Sequence, residues 1–161
     1  MKVKIPSKFK FQDTVLLKVA KPFDFTKPEK NLHLATKMLD FMKKSKGIGL
    51  AAPQLGISAR VFVIQTDFGL SGMSMFCFNP RIVKHSEQQV QIDEGCLSFP
   101  GETFKIKRSA MIDIEYYNHK GELIQGILTG IKSICFQHEL DHLDGIVMHK
   151  RFEEQNEKVS S

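Results

Sequence analysis

The stretch that most constrains the fold is Ile131–Val147, because at helical spacing it leaves little surface for water. Ile131, Ile134, Cys135, His138 and His142 share one stripe, while Phe136, Leu140, Leu143 and Val147 make a second apolar face. A helix apolar on two sides is expected to be central, with the rest of the chain built around it. Thr129 stands where a cap would begin it, and Gly145 where a left-handed residue would end it. Within this helix lies Gln137-His138-Glu139-Leu140-Asp141-His142. His138 and His142 fall one turn apart on the same face, so both imidazoles can grip one metal ion. Glu139 is rotated away from them and placed to handle protons at a water beside that ion. This is the H-E-x-x-H pattern, in which two residues bind and a third does acid–base work. The competing reading is a surface helix with two coincidental histidines.

A catalytic site of this kind needs a third protein ligand. Only 19 residues follow His142, which leaves little room for one downstream. The extended H-E-x-x-H-x-x-G-x-x-H pattern is met by Gly145 but puts its last histidine at position 148, where Met148 stands, and His149 is one residue late. Glu153, Glu154 and Glu157 belong to a short charged tail. The ligand is therefore expected upstream. Cys96, in Ile92-Asp93-Glu94-Gly95-Cys96-Leu97-Ser98, is the best candidate, because a thiolate binds divalent metals strongly. The alternative for Cys96 is a buried thiol. Further upstream, Gly47–Gln54 carries two glycines and two alanines, a backbone that another strand or a ligand approaches closely, unless the glycines only make a tight turn. Gln54 reads either as a hydrogen-bond donor or as a loop residue.

The remaining pattern describes an α+β domain: antiparallel strands wrapped around a central metal-binding helix, with an N-terminal helix outside. That helix is expected over Pro28–Lys44, with Leu32, Ala35, Leu39 and Met42 inward. Residues 13–27 form an extended entry. Val61–Gln65 and Met75–Asn79 read as buried strands separated by a glycine-containing loop, and Arg81–His85 as a third strand after Pro80. Alternation from Phe104 to Tyr116, a turn at Asn118–Gly121 and a return over Glu122–Leu128 make further strands. Cys77 is expected in the core, and His33, His85 and His119 on the surface. At 161 residues with no internal repeat, one domain spanning 1–161 is expected, with 152–161 a frayed polar tail. The net charge of +5 favours polyanions mildly, but no dense Lys/Arg block marks a nucleic-acid site. Three cysteines cannot make a disulfide framework and fit a reducing compartment. Met1–Lys10 lacks the apolar centre of a signal peptide and no run reaches membrane-spanning length, so a cytoplasmic protein without a membrane partner is expected.

Taken together, Gly47–Gln54 (GIGLAAPQ), Glu94–Ser98 (EGCLS) and Gln137–Leu143 (QHELDHL) resemble, in order and spacing, the three signature motifs of peptide deformylases. These enzymes remove the N-formyl group from the initiator methionine of new polypeptides. The resemblance covers Thr14 to Met148. It implies Cys96, His138 and His142 as metal ligands, with a fourth position for water, and Glu139 as general base and then acid. It makes the Gln54 side chain and the Leu97 backbone N–H the oxyanion donors. The implied ion is ferrous iron (Fe2+), with Zn2+, Ni2+ or Co2+ able to take its place. The implied substrate is an N-formylmethionyl nascent peptide, extended along Gly47, Ile48, Gly49 and Leu50 and bordered by Glu94 and Gly95. Its methionine would sit near Ile48, Ile92, Ile131 and Cys135; Cys135 reads almost as well as a core residue. Glu94, Arg108 and Asp141 are implied partners that hold the site in shape. A monomer is expected. Family members commonly continue past the metal helix with a further C-terminal element, and the short polar tail here makes docking on the ribosome surface a weak expectation. The rivals are a zinc endopeptidase of the H-E-x-x-H type, disfavoured by the missing downstream ligand, and a catalytically silent binding module, which the full residue set does not support.

Overall fold

The computed structural model describes residues 5, 7–25, 27–65, 67 and 73–157. In chain order the described elements are α1 (Pro28–Lys44), β1 (Gly49–Ala51), β2 (Val61–Gln65), β3 (Ser74–His85), β4 (Gln89–Cys96), β5 (Phe99–Ser109), β6 (Met111–Tyr117), β7 (Leu123–Thr129), α2 (Gly130–Leu143) and α3 (Met148–Glu157). A single 3-10 turn, Ala52–Gln54, follows β1. One antiparallel sheet has the order β1-β2-β3-β6-β7, and β4 and β5 pair as a separate two-stranded arm.

The position of α2 follows from β2. Val-Phe-Val-Ile is apolar at every position, so this strand must be covered on both faces. Val61 and Val63 point into a layer with Leu34, Ala35, Met38 and Met42 of α1. Phe62 and Ile64 point the other way, into a layer with Cys135, Phe136 and Leu143 of α2. The Phe62 and Phe136 rings meet edge to face at 5.0 Å. The sheet is thus held between two helices, with α2 in the expected central place and α1 on the outer side. Cys77 is fully buried, as expected.

Several expectations need correction. The bounds of α1 match and Ala35 and Met42 face inward as expected, but Leu32 and Leu39 do not. Asn31, Leu34, Ala35, Met38 and Met42 are the buried residues, whereas Leu32 is 43% exposed and Leu39 only packs at the edge. Leu32 lies about 100° round the helix from Asn31, outside the stripe that faces the sheet. Met75–Asn79 and Arg81–His85 are not two strands. β3 runs through Pro80 because Asn79 takes φ 46 and the register with β6 shifts between Phe78 and Arg81, a bulge that tolerates the proline. The Asn79 carboxamide also holds the entry segment, accepting from Phe23 N at 2.7 Å and donating to Phe23 O at 3.0 Å. Part of the loop before β3 lies outside the described residues. Thr129 occupies the cap position of α2 without making a side-chain cap bond. His33 and His85 are exposed, while His119 is only half-exposed and sits beside Phe76.

The stop after α2 is as expected. Gly145 has φ 72, its N–H donates to His142 O at 3.3 Å, and Ile146 N–H donates to Asp141 O at 2.8 Å. This is a Schellman closure. A Cβ at Gly145 would also lie 2.9 Å from the Leu17 carbonyl, because the entry strap crosses here.

The largest correction is the expected frayed tail. Residues 152–157 belong to α3, and 158–161 lie outside the described residues. The helix is fastened by contacts that a search for apolar periodicity misses. His149 sits edge-on to Phe99 and Phe104 at 4.6 and 4.7 Å, and Phe152 packs on Phe104 at 5.2 Å. The Gln155 carboxamide engages both backbone groups of Lys107 at 2.9 Å, and Arg151 clasps Asp141.

Candidate metal centre

α2 presents His138 and His142 from one face, their ring centroids 5.0 Å apart. Cys96 reaches them from the end of β4 through a break in register. Gly95 faces Thr103 but Cys96 faces Phe99, so residues 100–102 loop out and the thiol is turned toward the helix. Cys96 Sγ lies 3.3 Å from His142 Nε2, and the ligand atoms of Cys96, His138 and His142 all fall within 4.8 Å of one another. A tetrahedral ion with bonds of ~2.3 Å to sulfur and ~2.0 Å to nitrogen sets such edges at ~3.3–3.5 Å, so this donor set fits a divalent metal. One thiolate with two imidazoles suits zinc, iron and other first-row ions alike.

The imidazole of His138 is oriented from behind. Its Nδ1 donates to Glu94 Oε2 at 3.0 Å, which turns Nε2 toward the cage. Glu94 is in turn gripped by Arg108 through both oxygens, at 2.7 and 2.9 Å. Arg108 also donates to Asp141 Oδ2 at 2.6 Å. Burial works against charge on Glu94, yet Arg108 and His138 bring its carboxyl down to about 2. Burial likewise opposes charge on His138, but Cys96 and Glu94 together lift it to about 10. Burial, with His138 nearby, holds His142 well below its usual value.

Glu139 is 4% exposed, and burial raises its carboxyl to about 7, with His138 opposing the rise. A dication in the cage would oppose it further. Its carboxylate packs against Gly49 of β1, where a Cβ would stand only 2.9 Å from Glu139 Cδ. Glu139 Oε2 and His142 Nδ1 are buried with no hydrogen-bond partner among the described residues. Gln54 is fixed by its own turn. Ala51 N–H donates to Gln54 Oε1 at 2.9 Å, and that leaves Nε2 facing the cage, 3.5 Å from Cys96 Sγ and 3.0 Å from Ser98 Oγ.

A cavity of about 480 Å³ opens over this cluster. Gly47, Ile48, Gly49, Ile92, Glu94, Gly95, Leu97, Ile131, Cys135, His138 and Glu139 all line it. Leu50 does not; its side chain is fully buried in the α1 layer. Glu94 borders the cavity with its carboxylate committed to Arg108 and His138, which suits a supporting role. Cys135 belongs to the α2 core layer and also lines the cavity. Sequence reasoning missed Ser98, Arg151 and the packing of Gly49 on Glu139. No spacing rule links Arg151 to Asp141 across the Gly145 stop. Ser98 ends the Glu94–Ser98 motif but carries no signal of its own in the sequence.

Comparison with known proteins decides the family. A sequence model described as polypeptide deformylase matches residues 8–158. The chain belongs to the polypeptide deformylase family. A peptide deformylase of Thermotoga petrophila is 41% identical over 142 residues, covering 88% of this chain and 83% of the relative. The crystal structure of peptide deformylase from Thermotoga maritima superimposes with a TM-score of 0.81 at 37% identity, covering 89% of this chain and 97% of that one. That of a probable peptide deformylase from Synechococcus phage S-SSM7 gives 0.84 at 32% identity, covering 90% and 100%. Membership of this family carries hydrolase activity on formylated polypeptides and a divalent metal, and the Cys-His-His group is where this chain offers a place for the ion. No described helix is long and apolar enough to cross a membrane.

Proposed function

We propose that this chain, acting as a single catalytic domain over 1–161, hydrolyses the N-formyl group of formylmethionyl nascent peptides at a centre held by Cys96, His138 and His142. The observation that carries the proposal is the convergence of one sulfur and two imidazoles with Glu139 and the Gln54 amide beneath an open strand edge. A divalent cation held there supplies electrophilic polarisation of the formyl carbonyl and acidifies water. β1 is an edge strand, so an extended chain can pair along Gly47–Leu50 by backbone hydrogen bonds and place methionine against Ile48, Ile92, Ile131 and Cys135. Glu139 takes a proton from the water that attacks the formyl carbon. Charge developing on the carbonyl oxygen is met by Gln54 Nε2 and the Leu97 N–H, each such donor typically worth about 3–4 kcal/mol. As the C–N bond breaks, Glu139 returns its proton to the departing nitrogen, leaving formate and a free N-terminus.

Ferrous iron is the proposed native ion, and a monomer in a reducing cytoplasm the proposed setting. The test is formate release from an N-formylmethionyl tripeptide by protein isolated without oxygen, with its metal measured in parallel. Wild type releases formate, and Glu139→Ala keeps the metal but loses at least about 100-fold in kcat. Cleavage of an unformylated internal peptide bond instead would favour the endopeptidase reading, and wild-type turnover by Glu139→Ala would remove Glu139 from the reaction.

A further inference from the structure

We infer that Arg151, on the C-terminal helix α3, is a positioning residue for the metal cage, acting through Asp141, Arg108 and Glu94 on the ring of His138. The inference rests on the proposed ligand set. Arg151 clasps Asp141 with two bonds, Nη2 to Oδ1 at 2.6 Å and Nε to Oδ2 at 3.1 Å. Asp141 Oδ2 also accepts from Arg108 Nη1 at 2.6 Å. Arg108 holds both oxygens of Glu94, and Glu94 Oε2 accepts from His138 Nδ1 at 3.0 Å. Every carboxylate in this chain of contacts is shared between two donors. Freeing one oxygen at the far end lets the next guanidinium turn.

Two features make Arg151 more than a surface ion pair. Its partner Asp141 is on α2 between the two histidines, with a side chain only 13% exposed. Arg108 is 5% exposed and shared by two carboxylates, so it depends on a fixed Asp141 to aim its fork at Glu94. Outside these contacts lies a polar cavity of about 490 Å³ lined by Arg108, Asp141 and Arg151. Water entering it would compete for Asp141, and a planar two-pronged donor resists such competition where a point charge does not. The charges of Arg151, Asp141, Arg108 and Glu94 sum to zero, with Glu154 Oε2 a further 3.4 Å partner of Arg151 Nη1 at the outer end. Deleting Arg151 would leave an unbalanced negative charge that favours cation binding, opposing the loss of positioning. The informative substitution is therefore Arg151→Lys, which keeps the charge and removes the fork.

The experiment measures Co2+ affinity by chelator competition, the Co2+ absorption bands, and kcat and KM on a formylmethionyl tripeptide. It compares full-length wild type, Arg151→Lys, Gln155→Ala and His138→Ala, with folding checked by circular dichroism and thermal unfolding. Removing a partner that orients a ligand typically costs 10–100-fold in metal affinity, and Arg151 is further out. Arg151→Lys is expected to weaken Co2+ binding about tenfold, shift the absorption bands and lower kcat about tenfold at unchanged KM. Gln155→Ala, which cuts another tie of α3 to β5, stays within twofold. Wild-type affinity and bands in Arg151→Lys would overturn the inference. So would an equal loss in Gln155→Ala, which would make α3 a general clamp. Retention of tight Co2+ binding by His138→Ala would instead overturn the ligand set itself.

Discussion

Adding one methyl group at Gly49 should disable the reaction while leaving the metal in place. An alanine Cβ there would stand 2.9 Å from Glu139 Cδ and 3.0 Å from Cys135 Sγ, where ordinary contact begins at 3.4 Å. β1 cannot retreat easily, because Gly49 is paired opposite Ile64 and the neighbouring Gln65 N–H is held by Ile48 O at 2.8 Å. Cys135 belongs to the core layer behind it. The Glu139 carboxylate must therefore move, by about half an ångström at its carbon and further at its oxygens. A misplacement of about 1 Å typically costs about 100-fold, so a loss of about 10–100-fold is expected, or about 1.4–2.7 kcal/mol of barrier. None of the three ligands touches the new methyl group in its nearest contacts. The assay is kcat on a formylmethionyl tripeptide with metal measured in the same samples, and Gly126→Ala, whose Cβ meets nothing within 4 Å, as the control. A Gly49→Ala enzyme with full metal and a kcat within threefold of wild type would refute the placement of Glu139 as the proton carrier.

Two further outcomes follow from the fold. Gly145→Ala should lower stability by about 2 kcal/mol or more, seen as a fall of roughly 5 °C in Tm, since it forces a left-handed alanine against the Leu17 carbonyl; an unchanged Tm would contradict the strap crossing. Burial pushes the Cys77 thiol well above 9.0, so the folded protein keeps a proton that the unfolded chain loses. Its contribution is intact below pH 9 and declines above it by up to about 1.4 kcal/mol per pH unit. Urea unfolding of wild type and Cys77→Ala should therefore converge between pH 9 and 10.5, and parallel profiles would show that this thiol titrates freely.

How far the sequence carried can be judged residue by residue. α2 was legible because its apolar surround and its paired histidines obey one helical period, and β2 because four apolar residues in a row admit few other fates. Cys96 was legible as a candidate ligand by exclusion, because the short stretch after His142 places no histidine at the spacing the extended pattern requires. The inner face of α1 was only half legible: Ala35 and Met42 were placed correctly, but Leu32 and Leu34 are equally apolar and only the position of the sheet distinguishes them. Pro80 misled because the positive φ of Asn79, which lets the strand continue, is set by its contacts to Phe23. α3 was missed for a deeper reason. Its sequence is almost wholly polar, and what fixes it is a set of directed contacts by Arg151, Gln155 and His149 to partners far away in the chain. Such contacts carry no periodic signature.

The most direct test of the central claim is X-ray absorption spectroscopy of the zinc-loaded protein, with Cys96→Ser beside it. One sulfur at ~2.3 Å and two imidazole nitrogens at ~2.0–2.1 Å are expected in wild type, with the sulfur gone from the variant. A wild-type spectrum containing only nitrogen and oxygen neighbours would contradict the account.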